Sequence, residues 1–246
     1  MSLNLLDISV FFIAWLFQAF TGFGAGIFIV GVLSLVYNPK DVVVSSAVIN
    51  LFGTLFMAFL LLRNVRPRID ILLLLIVGSV PGILFGSNLL LSLNRDALKL
   101  LIGLFILSLG IYDLLVQRGT LSKFSMKKST FASLGVGFIG GFFAGLVGMG
   151  GPPPVVYLNQ VLEDVDEFKS TLTLFFTSNI LFRILFYGLQ GGAEHFNMSM
   201  IYAGALSIPP GVYLGLLLSR RLSSVKLKRI ISMSVVLLGF FLVIKP

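Results

Sequence analysis

Long apolar runs separated by short polar loops dominate the sequence. A helix that spans a membrane needs about 20 apolar residues, and eight runs approach or exceed this length. They cover residues 8–36, 42–62, 69–91, 97–116, 131–161, 168–189, 198–218 and 228–244. The pattern predicts an all-α integral membrane protein of eight hydrophobic segments, with no soluble domain.

Two of these segments are interrupted where a helix should be most regular. The first contains TGFGAG at residues 21–26, and the fifth contains GMGGPPP at residues 148–154. In a helix, glycine costs about 1 kcal/mol relative to alanine, and proline about 3. At membrane depth, irregular backbone is tolerated only where protein buries it or it lines a watery cavity. Paired breaks at matching places in two halves indicate the substrate site of a transporter.

The two halves of the chain resemble each other. A shift of 129 residues places Asn50 on Asn179 and Pro81 on Pro210, and a shift of 126 places residues 22–25 on residues 148–151. We therefore predict an N-terminal repeat over residues 1–117, a basic cytoplasmic linker over 118–129, and a C-terminal repeat over 130–246.

The basic residues discriminate between two topologies. If all eight segments span, the 17 Lys and Arg residues outside the apolar segments divide almost equally between the two sides. If segments 1 and 5 are instead re-entrant hairpins, 13 of the 17 lie on one side. Only the second arrangement obeys the tendency of basic loops to stay in the cytoplasm. It gives three spans per half and an inverted pseudo-two-fold symmetry. The alternative is eight spans, with segments 1 and 5 merely kinked.

Composition narrows the function further. Only 11% of the residues are charged and 57% are hydrophobic, whereas a soluble domain has about a quarter charged residues. The net charge of +8 lies in short loops, so it indicates topology and not nucleic-acid binding. With no cysteine and one histidine, we expect no disulfide, metal site or cofactor. The expected partners are the lipid bilayer and a small anionic substrate.

Arg183 is the only charged residue well inside a predicted span. A charge there needs a partner or a watery cavity, and its planar guanidinium matches the oxygens of a sulfonate or carboxylate. The alternatives are that Arg183 reaches the surface or binds backbone carbonyls. Asn179 lies one turn earlier on the same helix face, and Asn50 occupies the matching place in the first half. Both asparagines could line one site or join neighbouring helices.

The glycine breaks are the third part of the predicted site. A short helix that starts after a break presents N–H donors and a partial positive charge, as Gly26 and Pro152 suggest. Close packing through small residues is the alternative. The predicted substrate-binding residues are Thr21, Gly22, Gly24, Gly26, Asn50, Gly148, Gly150, Gly151, Asn179 and Arg183, with Gln18 as a weaker candidate. Pro81-Gly82 and Pro209-Pro210-Gly211 are predicted to be kinks, and His195 with Glu194 a solvated loop pair.

Residues 19–26 and 144–151, each an apolar run entering a glycine-rich turn, resemble the repeats of the sulfite exporter TauE/SafE family of membrane permeases. The resemblance covers essentially the whole chain. It implies transport of a small sulfur-containing or organic anion, such as sulfite, a sulfonate or sulfoacetate.

These observations predict a secondary transporter or facilitator in the cytoplasmic membrane. A potential of 100 mV, negative inside, favours export of one negative charge by about 2.3 kcal/mol. Export then needs no coupling ion, which suits a chain in which we expect no buried carboxylate. The alternatives are an anion channel and a cation-coupled uptake permease for an organic acid. An intramembrane enzyme would need a nucleophile, paired acids or metal ligands inside a span, and a structural subunit would not need matched breaks.

Overall fold

The computed structural model describes residues 4–21, 24–61, 66–117, 128–219, 236–237 and 239–244, which form helices and the loops between them. The helices are α1 (Leu5–Thr21), α2 (Ala25–Leu33), α3 (Pro39–Leu61), α4 (Ile69–Ser92), α5 (Arg95–Gln117), α6 (Thr130–Val147), α7 (Pro152–Val161), α8 (Val165–Leu189) and α9 (Met198–Ser219), with a 3-10 turn at Gly192–His195. Residues 239–244 are also helical. Most of predicted segment 8, and the linker up to residue 127, lie outside the described residues.

Six of these helices are long and apolar enough to cross a membrane, namely α3, α4, α5, α6, α8 and α9. The predicted class of helical integral membrane protein is confirmed. α6 is the first arm of interrupted segment 5, and its 18 residues make this arm by itself long enough to span.

Left-handed glycines mark both interruptions. Gly24 precedes α2 with φ 113°. Gly148 ends α6 with φ 75°, and its N–H donates to the carbonyl of Ala144. Residues with a Cβ rarely adopt this conformation, so glycine is required for the chain to turn here. Segment 5 is therefore two helices joined by a turn, and segment 1 has one helix on each side of its glycine break.

Two pairs of helices pack through glycine. Six glycines on α4 and α6 have no room for a Cβ atom, because it would overlap a backbone carbonyl of the other helix. They are Gly78, Gly82, Gly86, Gly137, Gly141 and Gly145. The same packing joins α9 to α1, where Gly211 faces Phe12 and Gly215 faces Leu16. Small residues at a spacing of four allow this close approach in membranes. The helices α4 and α9 continue through their internal prolines, and the glycines after them serve as packing positions.

The two ends of segment 1 lie together. The side chain of Asn4, before α1, donates to the Tyr37 hydroxyl at 2.8 Å. That hydroxyl donates to the carboxylate of Asp7 at 3.3 Å. In segment 5, the hydroxyls of Ser133 on α6 and Tyr157 on α7 are 2.7 Å apart. Each interrupted segment therefore folds back along itself.

Polar contacts tie the loops together at each end of the bundle. At the start of α4, Asp70 pairs with Lys128 at 2.9 Å and with Arg68 at 3.3 Å. At the far end of α4, Lys40 donates to the carbonyl of Leu91 at 2.7 Å.

The predicted pair of His195 and Glu194 is present, with 3.7 Å between the His195 Nε2 and a Glu194 carboxylate oxygen, but only Glu194 is solvated, at 80% exposure. The His195 Nδ1 lies 2.7 Å from an Asp41 carboxylate oxygen, and its side chain is only 17% exposed. The reason is tertiary: the loop between α8 and α9 folds onto the start of α3, where the Ser45 hydroxyl donates to the His195 carbonyl.

Candidate functional site

The two helix breaks meet at one cavity in the interior of the bundle. Its volume, measured to the centre of a water-sized sphere, is about 60 Å³. A single water needs about 10–15 Å³ by this measure, so the cavity can hold several waters or one small oxyanion. It is bounded by the start of α2, by α3, by the turn between α6 and α7, and by α8.

The structure brings most of the predicted site residues together here. The cavity lining includes Gln18, Gly24, Gly26, Asn50, Gly148, Gly150, Gly151, Asn179 and Arg183. Gly22 and the Thr21 side chain lie outside the described part of the chain. The same lining contains Phe176, Ile180 and Met149, which sequence reasoning missed because nothing distinguishes them from the many other apolar residues.

Arg183 is held inside the protein and does not reach the surface. It is 2% exposed. Its Nε donates to the Tyr187 hydroxyl at 3.3 Å, and its Nη2 donates to the Val43 carbonyl at 3.2 Å. A guanidinium has five N–H donors, so three lack a partner among the described residues. Nη2 also lies 3.2 Å from where a Cβ at Gly148 would be, next to the turn between α6 and α7.

The charge of Arg183 is not neutralised by an acid. Within the described residues, no carboxylate lines the cavity or forms an ion pair with Arg183. Leaving a buried guanidinium without a counter-ion is costly. An anion bound in the cavity would therefore supply the neutralising charge that the protein itself does not provide.

Both short helices begin at the cavity, but they offer different donors. At the start of α2, the Ala25 N–H donates to the Gln18 side chain at 2.9 Å. At the start of α7, Pro152 to Pro154 have no N–H, because proline lacks this donor. The donors expected at the start of the proline run are therefore absent, and the N–H groups that directly precede it belong to Gly150 and Gly151, which line the cavity. The positive end of each helix dipole still faces the cavity.

Asn50 and Asn179 complete the lining with unpaired amide atoms. The Asn50 Oδ1 and the Asn179 Nδ2 are buried without a partner in the described structure. The residues are 7% and 4% exposed. Buried polar atoms are normally hydrogen-bonded, so these two are suited to a ligand or to water.

The glycines of the breaks also pack closely. A Cβ on Gly26 would lie 2.7 Å from the Gly148 carbonyl oxygen, and a Cβ on Gly150 would overlap the Gly140 carbonyl oxygen. The two interpretations of the glycines, cavity lining and close packing, thus describe the same residues.

Asp7 is buried, contrary to the expectation that the chain has no buried carboxylate. It is 2% exposed, and its Oδ1 has no partner among the described residues. Its place in the first turn of α1 made it look exposed in sequence, but Tyr37 folds over it. Asp7 does not line the cavity.

Comparison with known proteins identifies the relatives of this fold. The sequence profile described as "Sulfite exporter TauE/SafE" matches residues 8–242. The chain belongs to the TauE/SafE family. TauE/SafE proteins are membrane exporters, so this chain is a multi-pass transport protein of the cell membrane and not an enzyme.

A curated TauE relative agrees with this placement. It is a "Probable sulfite/organosulfonate exporter TauE" from Cupriavidus necator, 31% identical over 211 residues, which cover 83% of this chain and 78% of the relative. No solved structure matches the chain.

Proposed function

We propose that this protein exports a small sulfur-containing anion, such as sulfite or a short sulfonate, across the cytoplasmic membrane. The anion binds in the cavity between the two helix breaks. The family and the relative's name support the substrate class. The observation that carries the site is the buried, uncompensated Arg183 in a cavity at which two helices begin.

Each part of the lining has a role in this proposal. The free N–H groups on the two terminal nitrogens of Arg183 contact two oxygens of the anion. The N-terminal ends of α2 and α7 add favourable dipoles. Asn50 and Asn179, from matching places in the two halves, add amide groups that hydrogen-bond the ligand.

We further propose that segments 1 and 5 are re-entrant hairpins and that the two repeats are inverted. The contact of Asn4 with Tyr37 supports this, because it places both ends of segment 1 on one side of the membrane. The helix packing supports it too. Gly82 faces Phe138 and Gly211 faces Phe12, and the shifts of 129 and 126 residues convert the first contact into the second.

The inverted arrangement also determines how the protein is oriented in the membrane and in which direction the potential drives the anion. The loops that carry Arg68, Lys128 and Glu167 meet at one end, which the basic residues assign to the cytoplasm. An inside-negative potential then drives a monoanion outward by about 2.3 kcal/mol per 100 mV, so no coupling ion is required.

Transport by proteoliposomes tests the proposal. We would follow radiolabelled sulfite, sulfoacetate and taurine under an imposed potential, for the wild-type chain and for Arg183→Gln and Asn179→Ala. We expect at least one sulfur anion to move and to respond to the potential. Arg183→Gln should abolish this transport, and Asn179→Ala should reduce it several-fold.

Two results would oppose the proposal in different ways. If none of the anions moves in the wild-type protein, the substrate class is wrong. If they move equally well in correctly inserted Arg183→Gln, the substrate class stands and the cavity is not the site. Saturable counterflow distinguishes a carrier from a channel, which would give large single-channel currents.

A further inference from the structure

Tyr187 has a buried hydroxyl whose partners link the candidate site to the rest of the protein. The residue is fully buried on α8, one helical turn after Arg183. Its hydroxyl donates to the Gly145 carbonyl at 2.7 Å and lies 3.4 Å from the Ala144 carbonyl. The same oxygen accepts from the Arg183 Nε at 3.3 Å.

We infer that Tyr187 is a positioning residue that fixes the Arg183 guanidinium in the orientation required for anion binding. The inference rests on the proposed function. The tyrosine does not touch the cavity itself, and it acts only through the arginine.

The donors of Arg183 explain why its orientation matters. With Nε on Tyr187 and one Nη2 N–H on the Val43 carbonyl, the free donors are on Nη1 and Nη2. These terminal nitrogens are the pair that one sulfonate or carboxylate group can bridge. Without Tyr187, Nε becomes a competing donor and the guanidinium gains freedom about its side-chain torsions. Ordering it again would weaken anion binding.

The hydroxyl also ties the arginine to the helix break. Gly145 lies in the last turn of α6, just before the left-handed Gly148 that ends the helix. The Tyr187 hydroxyl, which accepts a hydrogen bond from Arg183, is thus also hydrogen-bonded to the backbone beside the cavity. The two repeats differ here, because the shift of 129 residues places Ala58 on Tyr187 and Thr54 on Arg183. Only the second half carries this pair.

Tyr187→Phe tests the inference, with Tyr157→Phe as a matched control. Tyr157 is equally buried, and its hydroxyl also has a hydrogen bond, to Ser133, but it does not line the cavity. We would measure half-saturating concentrations and maximal rates of sulfite and sulfoacetate transport. We expect Tyr187→Phe to raise the half-saturating concentration about tenfold, as for loss of a hydrogen bond to a charged group. The maximal rate should stay within about twofold, and Tyr157→Phe should resemble the wild type.

A second background separates positioning from a general structural role. Arg183→Lys keeps the charge but has no Nε, so adding Tyr187→Phe to it should change the half-saturating concentration little. Coupling of this kind is what a double-mutant cycle detects. If Tyr187→Phe is not recovered folded, Tyr187→Met replaces it, since methionine adapts to core space but gives the Arg183 Nε no hydroxyl acceptor; a rise of about tenfold in the half-saturating concentration is then expected.

Several results would overturn the inference. They are a Tyr187→Phe or Tyr187→Met protein with wild-type half-saturation, an equal effect of Tyr157→Phe, and an undiminished effect of Tyr187→Phe in the Arg183→Lys background. Wild-type transport by Arg183→Gln is a separate outcome. It removes the proposed site itself, and the role of Tyr187 with it.

Discussion

At the scale of single residues, the proposed anion site depends most on Arg183. It is buried at 2% exposure, it bonds one hydroxyl and one carbonyl, and no described acid pairs with it. The other residues that line the cavity are all uncharged. The net field in the cavity is therefore positive, and any added negative charge in the wall should compete directly with the substrate.

Asn179→Asp tests that competition. Asn179 lies one turn from Arg183, so a carboxylate there would contribute several kcal/mol of attraction to the guanidinium at the effective dielectric of a protein, about 4 kcal/mol at 4 Å. We expect anion transport to fall more than tenfold while the protein remains folded. Asn159→Asp, on the exposed face of α7, is the control. Equal transport by Asn179→Asp and the wild type would contradict a positive cavity.

The sequence predicts this site unevenly, for a physical reason. Arg183, Asn50 and Asn179 are recognisable because a polar group inside a span needs an explanation. The Val43 carbonyl is invisible in a sequence, since every residue has one. Tyr187 has a hydroxyl whose partners are set by how α8 meets the end of α6, which no local pattern encodes.

At the scale of helices, glycines allow the backbones of α4 and α6 to approach each other closely. Gly141 faces the Ser79 backbone, and a Cβ there would overlap it. Gly135 lies on the same helix with open space around its Cβ position. The two glycines are thus a matched pair, one required by packing and one not.

Alanine substitutions at these two positions should have opposite effects. Gly141→Ala forces the helices apart, and we expect a loss of about 1–3 kcal/mol in unfolding free energy, as for other overpacked positions. Gly135→Ala should be neutral or stabilising by up to about 1 kcal/mol, because alanine favours the helix. Thermal unfolding of the purified variants measures both. A Gly141→Ala protein as stable as Gly135→Ala would show that the contact is not tight.

Helix boundaries follow the sequence more closely than helix partners do. The interruptions at residues 21–26 and 148–154 were predictable from the conformational demands of glycine and proline. That the internal prolines kink α4 and α9 stays a prediction. The sequence did not show that the following glycines, Gly82 and Gly211, pack against α6 and α1. The sequence shows where glycine is present, but only the structure shows which helix packs against it.

At the scale of the whole molecule, the proposal of two inverted repeats determines which loops share a side of the membrane. The chain has no cysteine, so single cysteines can report sidedness directly. With re-entrant hairpins, Asn4 and Asn38, which flank segment 1, lie outside the cell. Ser129 and Glu163, which flank segment 5, lie inside it.

Labelling of Asn4→Cys, Asn38→Cys, Ser129→Cys and Glu163→Cys with a membrane-impermeant thiol reagent tests this arrangement. We expect the first two to react in intact cells and the last two only after permeabilisation. If segments 1 and 5 were full spans, each pair would divide between the two sides. Opposite labelling within either pair would therefore contradict the hairpin at that segment.

Anion binding to the purified protein tests the central claim most directly, because it needs neither a potential nor a transport cycle. Calorimetric titration of sulfite and sulfoacetate would compare the wild type with Arg183→Gln and with Arg95→Gln, whose arginine is exposed at the start of α5. We predict that the wild type and Arg95→Gln bind one of these anions alike, and that Arg183→Gln binds it at least about thirtyfold more weakly, as for loss of a charged hydrogen-bonding partner. Equal binding by Arg183→Gln would contradict a site built around this arginine.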